Sequence, residues 1–368
     1  MRKRTPQQTK LERIRAAAQK RKKPRKAVGV GQRTASEQQK ERAQALRAKY
    51  GVKFSIRRRK LIISAPQILS IDRNFLETTK FICAVRAAYE CGFNSVRVSL
   101  KDVEEISPLC ITFLAAELDR VSYIRSGKHS VDKAIKKKKK PDLTKLFGAT
   151  GVFDLLHVDG LQTQGPDIGD EKYIKLRTGQ LVDMQTAIAQ LSGQVKLIDE
   201  FMDSNPKLFG AVNEAITNVR WWAYKDFEEV AAFPKLQDRW WFLASYNTVK
   251  KRFSLFVYDS GQGIPATLRR FGWEDFKSTV PVLKFDDSDA IEAAFRKPRS
   301  KTGLSHRGKG LPEMRNLLEQ FTKGSLRVIS GRGYYSYDCD GNVVKKLLPH
   351  DIGGTMVAWE IYDTSGKR

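Results

Sequence analysis

From about residue 60 the apolar positions fall into short runs with two different periods. KLIISAPQILSI predicts a strand, NFLETTKFICAVRAAYECG an amphipathic helix stopped by Gly92, SVRVSL a second strand and PLCITFLAAELDRV a second helix. This alternation is the mark of a small α/β unit over residues 60–158. GLQTQGPDIGDE, rich in Gly, Gln and Asp, predicts a linker over 159–170. Beyond it YIKLRTGQ predicts a strand, DMQTAIAQLSGQVKLIDEFM a helix, and NPKLFGAVNEAITNVRWWAY a second helix with Pro206 in its first turn. Leu208, Val212, Ile216 and Val219 make that helix's core-facing stripe, whereas Glu214 and Asn218, four apart, share a different face. KRFSLFVYD (251–259) predicts a largely buried strand, SHRGKGLPEMRNLLEQF (305–321) a helix with Leu311, Met314, Leu318 and Phe321 on one face, and GGTMVAWEI (353–361) a last strand.

Composition supports two or three domains with real cores, since the chain has 368 residues of which 41% are hydrophobic. No apolar run approaches the roughly 18 to 20 residues of a membrane span, and no secretory apolar core follows the basic N-terminus. A cytoplasmic protein without membrane contact is expected. Cys83, Cys91, Cys110 and Cys339 have neither disulfide-framework density nor metal-ligand spacing, so reduced thiols and no zinc site are expected.

Charge changes the picture of the first 60 residues. They hold 22 Lys and Arg against three glutamates, which places +19 of the formal +26 there. Runs such as KRKKPRK and RRRK bury too little apolar surface to offset the entropy of ordering, so residues 1–59 are expected to be a largely disordered arm with transient helix. Its charge suits sequence-blind contact of residues 1–60 with DNA or RNA; the alternative is a solubilising tail. The pentalysine 136–140 reads as a solvated loop.

Four places carry candidate chemistry. Asp259 ends a buried strand, where a carboxylate is costly without a donor, and Gly261 and Gly263 beside it remove β-carbons where a planar ligand could approach. An adenine amino group would supply that donor; a tight turn with an Asp cap is the alternative. Glu214 and Asn218 offer a carboxylate and an amide one helical turn apart, fit for orienting a nucleophile and ligating a hard cation. Gly308 and Gly310, with Arg307 and Lys309, precede a helix whose free amides suit phosphates. Thr355, after two glycines, could support Asp259 or the base with its hydroxyl.

In order, NEAITN, DSGQGIP, RGKGL and GGT resemble the motifs of the GHKL, or Bergerat-fold, ATPases over about residues 170–363. The resemblance implies an α/β sandwich, a mixed sheet with helices on one face, binding ATP and Mg2+. It implies Glu214 as general base, Asn218 as magnesium ligand and Asp259 as adenine acceptor. Gly261 and Gly263 would line the base, Arg307, Gly308, Lys309, Gly310 and Leu311 the phosphates, and Thr355 the last motif. Residues 271–306, with DSDAIEAAF, resemble that family's ATP lid. Trp221 and Trp222 stand where the anti-sigma-factor kinases of the superfamily often have glutamate and histidine. The order strand, helix, strand, DVEEISPLCITFL, helix resembles the small STAS-like α/β domains, although Pro108 and Leu109 replace the serine of their phosphorylated members. No histidine precedes the ATPase region with an acidic residue after it, so an autophosphorylating histidine kinase is not expected. The resemblance therefore implies an Mg-dependent ATPase switch with a protein partner or a second copy, and the charge of the basic arm suggests a nucleic-acid context such as a prokaryotic regulatory or defence system; the alternative is a serine kinase of the anti-sigma type acting on a separate protein.

Overall fold

The computed structural model describes residues 35–57, 60–90, 93, 96–124, 141–158, 165, 167–180, 200–201, 203–226, 234–277, 285–296 and 310–362. The chain divides into two compact units, Met1–Arg42 and Ala43–Arg368. Of the first, residues 35–42 are described and are helical.

Helix α1 (Ala35–Tyr50) and strand β1 (Phe54–Arg57) lie inside the segment expected to be a disordered arm. Residues 35–57 are therefore ordered where their charge suggested an arm, and residues 1–34 lie outside the described residues. Ala43, Leu46, Tyr50 and Val52 supply the reason, since their spacing puts one apolar stripe into the core while Lys and Arg keep to water. β1 then pairs antiparallel with β2 (Lys60–Ser64), and a two-residue strand, β3 (Ile68–Leu69), follows after Pro66 interrupts the expected single strand. Helix α2 (Phe75–Glu90), β4 (Val96–Ser99), β5 (Glu105–Ile106) and α3 (Pro108–Ile124) complete the alternation; β2 and β4 are parallel, as are β3 and β5. Helices α4 (Pro141–Ala149) and α5 (Val152–Leu155) lead on to the main sheet.

That sheet has eight strands in the order β12-β11-β10-β13-β9-β8-β7-β6. They are β6 (Asp167–Ile168), β7 (Glu171–Gly179), β8 (Trp240–Asn247), β9 (Arg252–Asp259), β10 (Gly324–Ser330), β11 (Gly333–Asp338), β12 (Val343–Leu347) and β13 (Thr355–Tyr362). β6 falls inside the expected linker. Every neighbouring pair is antiparallel, which corrects the expected mixed sheet.

Helices on one face only is the second correction. Trp240, Phe242, Ala244, Leu255, Val257, Val357 and Trp359 turn to a core shared with helices α6 (Pro206–Asn218), α8 (Asp287–Arg296) and α9 (Gly310–Asn316). Helix α7 (Gly263–Lys277) opens directly after Asp259. The alternate residues Trp241, Leu243, Phe256, Tyr258, Ile329, Met356 and Ala358 turn to the other side, into a core with α1, α2, α3 and β2. Period-2 alternation puts apolar groups on both faces, so both must be covered. Polar bonds fix the second layer: Trp241 Nε1 donates to Asp119 at 2.8 Å, and Arg327 of β10 pairs with Asp72 and, at 2.8 Å, with Glu360. The segment expected as a lid, 271–306, is described at 271–277 and 285–296. There α8 is docked, with Phe295 stacked on Tyr335 at 5.1 Å and Ile291 fully buried.

Candidate functional site

Asp259 and Thr355 stand opposite each other at the ends of β9 and β13, on the face that carries Val257 and Val357. Asp259 is 6% exposed. Its Oδ1 accepts the Gly261 N–H at 2.9 Å, and the Thr355 N–H also donates to the carboxylate. Burial nonetheless dominates, pushing the acid up to about 7, with those two amides and the Arg86 guanidinium pulling the other way. A carboxylate so placed has backbone donors but, among the described residues, no salt bridge, and it would gain from a further N–H.

The glycines around it are required by close approach. A β-carbon on Gly261 would sit 2.7 Å from the β-carbon of Ala223, so this glycine lets the loop lie against the preceding helix rather than merely against a ligand. Gly263 has φ +80° and would clash with Ser330 Oγ, and Gly354, at φ +136°, lies against the Asp259 carbonyl. Ser330 Oγ accepts the Ile264 N–H at 2.8 Å, donates to Gly354 O at 3.1 Å and is hydrogen-bonded to Thr355 Oγ1 at 2.9 Å. Thr355 thus reaches Asp259 through its backbone and Ser330 through its hydroxyl.

Glu214 and Asn218 come from the last turn and a half of α6, half-buried, while Leu208, Val212 and Ile216 face the core. After Asn218 the helix widens into a π-turn, Val219–Ala223, and Asn218 makes no capping bond to it. The turn holds the glycine loop: Ala223 O accepts the Gln262 N–H at 2.8 Å, and the Gln262 side chain donates to Trp222 O at 2.9 Å and Lys225 O at 3.1 Å. Tyr224 adds a hydroxyl that accepts the Ser260 N–H at 3.2 Å and donates to Arg239 O at 2.7 Å. Glu214 itself abuts Gly310, where a β-carbon would collide with its carboxylate. Burial, and then the neighbouring Glu313, push the Glu214 carboxyl above the usual carboxylate range.

The structure therefore gathers Asp259, Gly261, Gly263 and Thr355 at one end of the sheet, and Glu214 against Gly310, with the π-turn after Asn218 joining the two groups. Leu311 packs against the core of the helical face. Arg307, Gly308 and Lys309 lie outside the described residues, as do Cys91 and the pentalysine. Cys83 and Cys110 are buried free thiols pushed up to about 12 by burial. Among the described residues no group of three or more His, Cys, Asp or Glu could hold a metal ion, and no helix is long and apolar enough to cross a membrane. Ser330, Gln262, Tyr224 and Gly354 escape a reading of the sequence because their roles arise from contacts across the fold. The serine-glycine pair at 330–331 is the only local sign of such a turn.

Neither a family model nor a curated protein sequence matches this chain.

Proposed function

We propose that residues 171–363 bind ATP with Mg2+ in the manner of the GHKL ATPases and that the chain is an ATP-driven conformational switch. The observation that carries this reading is Asp259, a carboxylate buried at a strand end whose hydrogen bonds, among the described residues, come from backbone amides. An adenine amino group supplies the missing donor. The antiparallel sheet departs from the mixed sheet of that family, so support comes from the site and not from the architecture.

The chemistry of the donors fits the nucleotide and its cation. Asn218, free of any capping duty, offers one carbonyl oxygen, and magnesium usually takes few protein ligands besides phosphate oxygens and water. Bound there, the cation would offset phosphate charge. Glu214, with its raised proton affinity, accepts the proton of the attacking water as the new bond to the terminal phosphorus forms and the bond to the ADP oxygen breaks. Gly310 brings the first turn of α9 against that carboxylate. In the alternative, a serine hydroxyl of another protein replaces water in the same geometry.

Purified full-length chain incubated with Mg2+ and ATP carrying a labelled terminal phosphate tests this directly. Label in free phosphate supports the switch, and label in an added protein the kinase. Absence of ATP binding removes both.

A further inference from the structure

Arg86 is a charged residue in an otherwise apolar stretch of α2, and it is buried. Buried guanidinium is costly unless paired, and Arg86 donates to Glu117 Oε1 at 3.1 Å, whose other oxygen accepts from Arg120 at 3.1 Å. Toward the sheet, Arg86 also bonds the Gly353 carbonyl and lies 3.4 Å from Ile352 O and from the Tyr258 hydroxyl. Tyr258, next in sequence to Asp259, shares its proton between Glu117 and Gly353 O, each at 3.0 Å. Gly353, at φ +68°, has no room for a β-carbon because the guanidinium lies flat against it. One residue on, Gly354 touches the Asp259 carbonyl, and the next, Thr355, donates its N–H to the Asp259 side chain. Cys83, one turn before Arg86, adds a bond from its thiol to Asp351 O at 3.2 Å.

We propose that Arg86 is a positioning residue of the nucleotide site, through which the N-terminal layer of helices α2 and α3 sets the affinity for adenine nucleotides. This rests on the nucleotide reading above. From the reverse face of the sheet, Arg86 holds the 351–354 turn that places the Thr355 amide, and its positive charge favours the ionised form of Asp259. Binding is coupled reciprocally, so a partner that shifts α2 or α3 changes ATP affinity, and ATP changes affinity for that partner. Among the described residues the charged and titratable groups acting on Asp259 are Arg86 from α2 and, at the end of the π-turn, Tyr224; those around Arg86 include Glu117 with Arg120 from α3, Tyr258 from β9, and Cys83, on which Asp351 also acts.

The test is calorimetric titration of the full chain with ATP between about pH 6 and 9, together with amide hydrogen exchange of the nucleotide-free protein at Gly354 and Thr355. Arg86→Met is expected to weaken ATP by about 10- to 100-fold at neutral pH, to speed exchange at those two amides, and to move the rise of affinity with pH upward. Arg86→Lys keeps the charge, so it restores the pH profile while affinity stays below wild type. Tyr258→Phe, which removes one hydroxyl and no charge, weakens ATP severalfold with the pH profile unmoved, and it keeps the test alive where Arg86→Met does not fold. Wild-type affinity and wild-type exchange in a folded Arg86→Met or, failing that, in Tyr258→Phe, while wild type binds ATP, overturn the positioning role alone. No ATP binding by wild type overturns the nucleotide reading and this proposal with it.

Discussion

At the scale of single residues, the candidate site is two carboxylates in unlike surroundings. Asp259 is fully enclosed and Glu214 half-buried, so substitution should separate binding from turnover. Asp259→Asn removes the acceptor charge and presents amide protons to the adenine amino group; hydrogen bonds to charged groups contribute about 1.5 to 3 kcal/mol, so ATP affinity should fall about 10- to 100-fold. Unchanged affinity in folded Asp259→Asn would sink the adenine assignment. The pH dependence has a definite sign. Asp259 titrates near 7 in the fold against about 3.9 when unfolded, so its protonated form favours the fold, an effect complete below about pH 4 and lost as pH rises through 7. An amino donor favours the ionised form. ATP should therefore bind more tightly as pH rises toward 7 and then level off, with a proton released on binding. Calorimetry in buffers of differing ionisation enthalpy reads that proton, and Asp259→Asn should abolish it. Glu214→Gln keeps the shape and removes the base; phosphate release should drop about a hundred- to ten-thousandfold while Mg-ATP still binds. Turnover at the wild-type rate in that variant would end its assignment as the base.

At the scale of elements, α1 shows how a basic composition can conceal a structural segment. Residues 1–34 hold 13 Lys and Arg and one glutamate, whereas the second half of α1 places Leu46 and Tyr50 in the core. If the basic N-terminal residues contact phosphates, deleting residues 1–34 should reduce any affinity for unrelated DNA or RNA sequences together with its salt dependence, whereas equal affinity and salt slope would leave the solubilising-tail reading; the melting temperature should stay nearly unchanged. Deleting residues 1–50 should lower the melting temperature by several degrees, because large apolar side chains leave the core at about 2 to 5 kcal/mol each. Equal melting temperatures for the two truncations would show that α1 adds nothing to the fold. The same contrast explains what the sequence made visible. Strongly periodic segments such as α2, α3, α6 and β9 announce themselves, and so do carboxylates and glycines at a strand end. β10 to β12 do not: β12 is exposed along its whole length, β10 carries Arg327, and their pairing is settled by distant partners. Gly261 was legible as a glycine beside Asp259, but its reason, the approach of Ala223, required the π-turn to be seen.

At the scale of the whole molecule, the eight-stranded sheet is a shared wall. A reading of the chain as an α/β domain followed by an ATPase domain suggests parts that could be separated, yet one core runs from Leu46 and Phe81 through Phe113 to Trp241, Phe256 and Met356. Cutting the chain between residues 158 and 171 would expose a band of Trp, Leu, Phe, Ile and Met across the strands, and would strip Asp72 from Arg327, Asp119 from Trp241 and Glu117 from Tyr258. A contiguous apolar patch of that kind drives association, and the loss of partners leaves polar atoms that were buried and satisfied. Residues 171–368 produced alone should therefore self-associate and bind a hydrophobic dye, and co-production with residues 43–158 should restore a defined complex. Light scattering coupled to size exclusion measures the first, and co-purification the second. A monomeric 171–368 fragment with cooperative unfolding and full-length ATP affinity would show that the wall stands without its second layer, and that the chain's two halves are joined by contact but not by dependence.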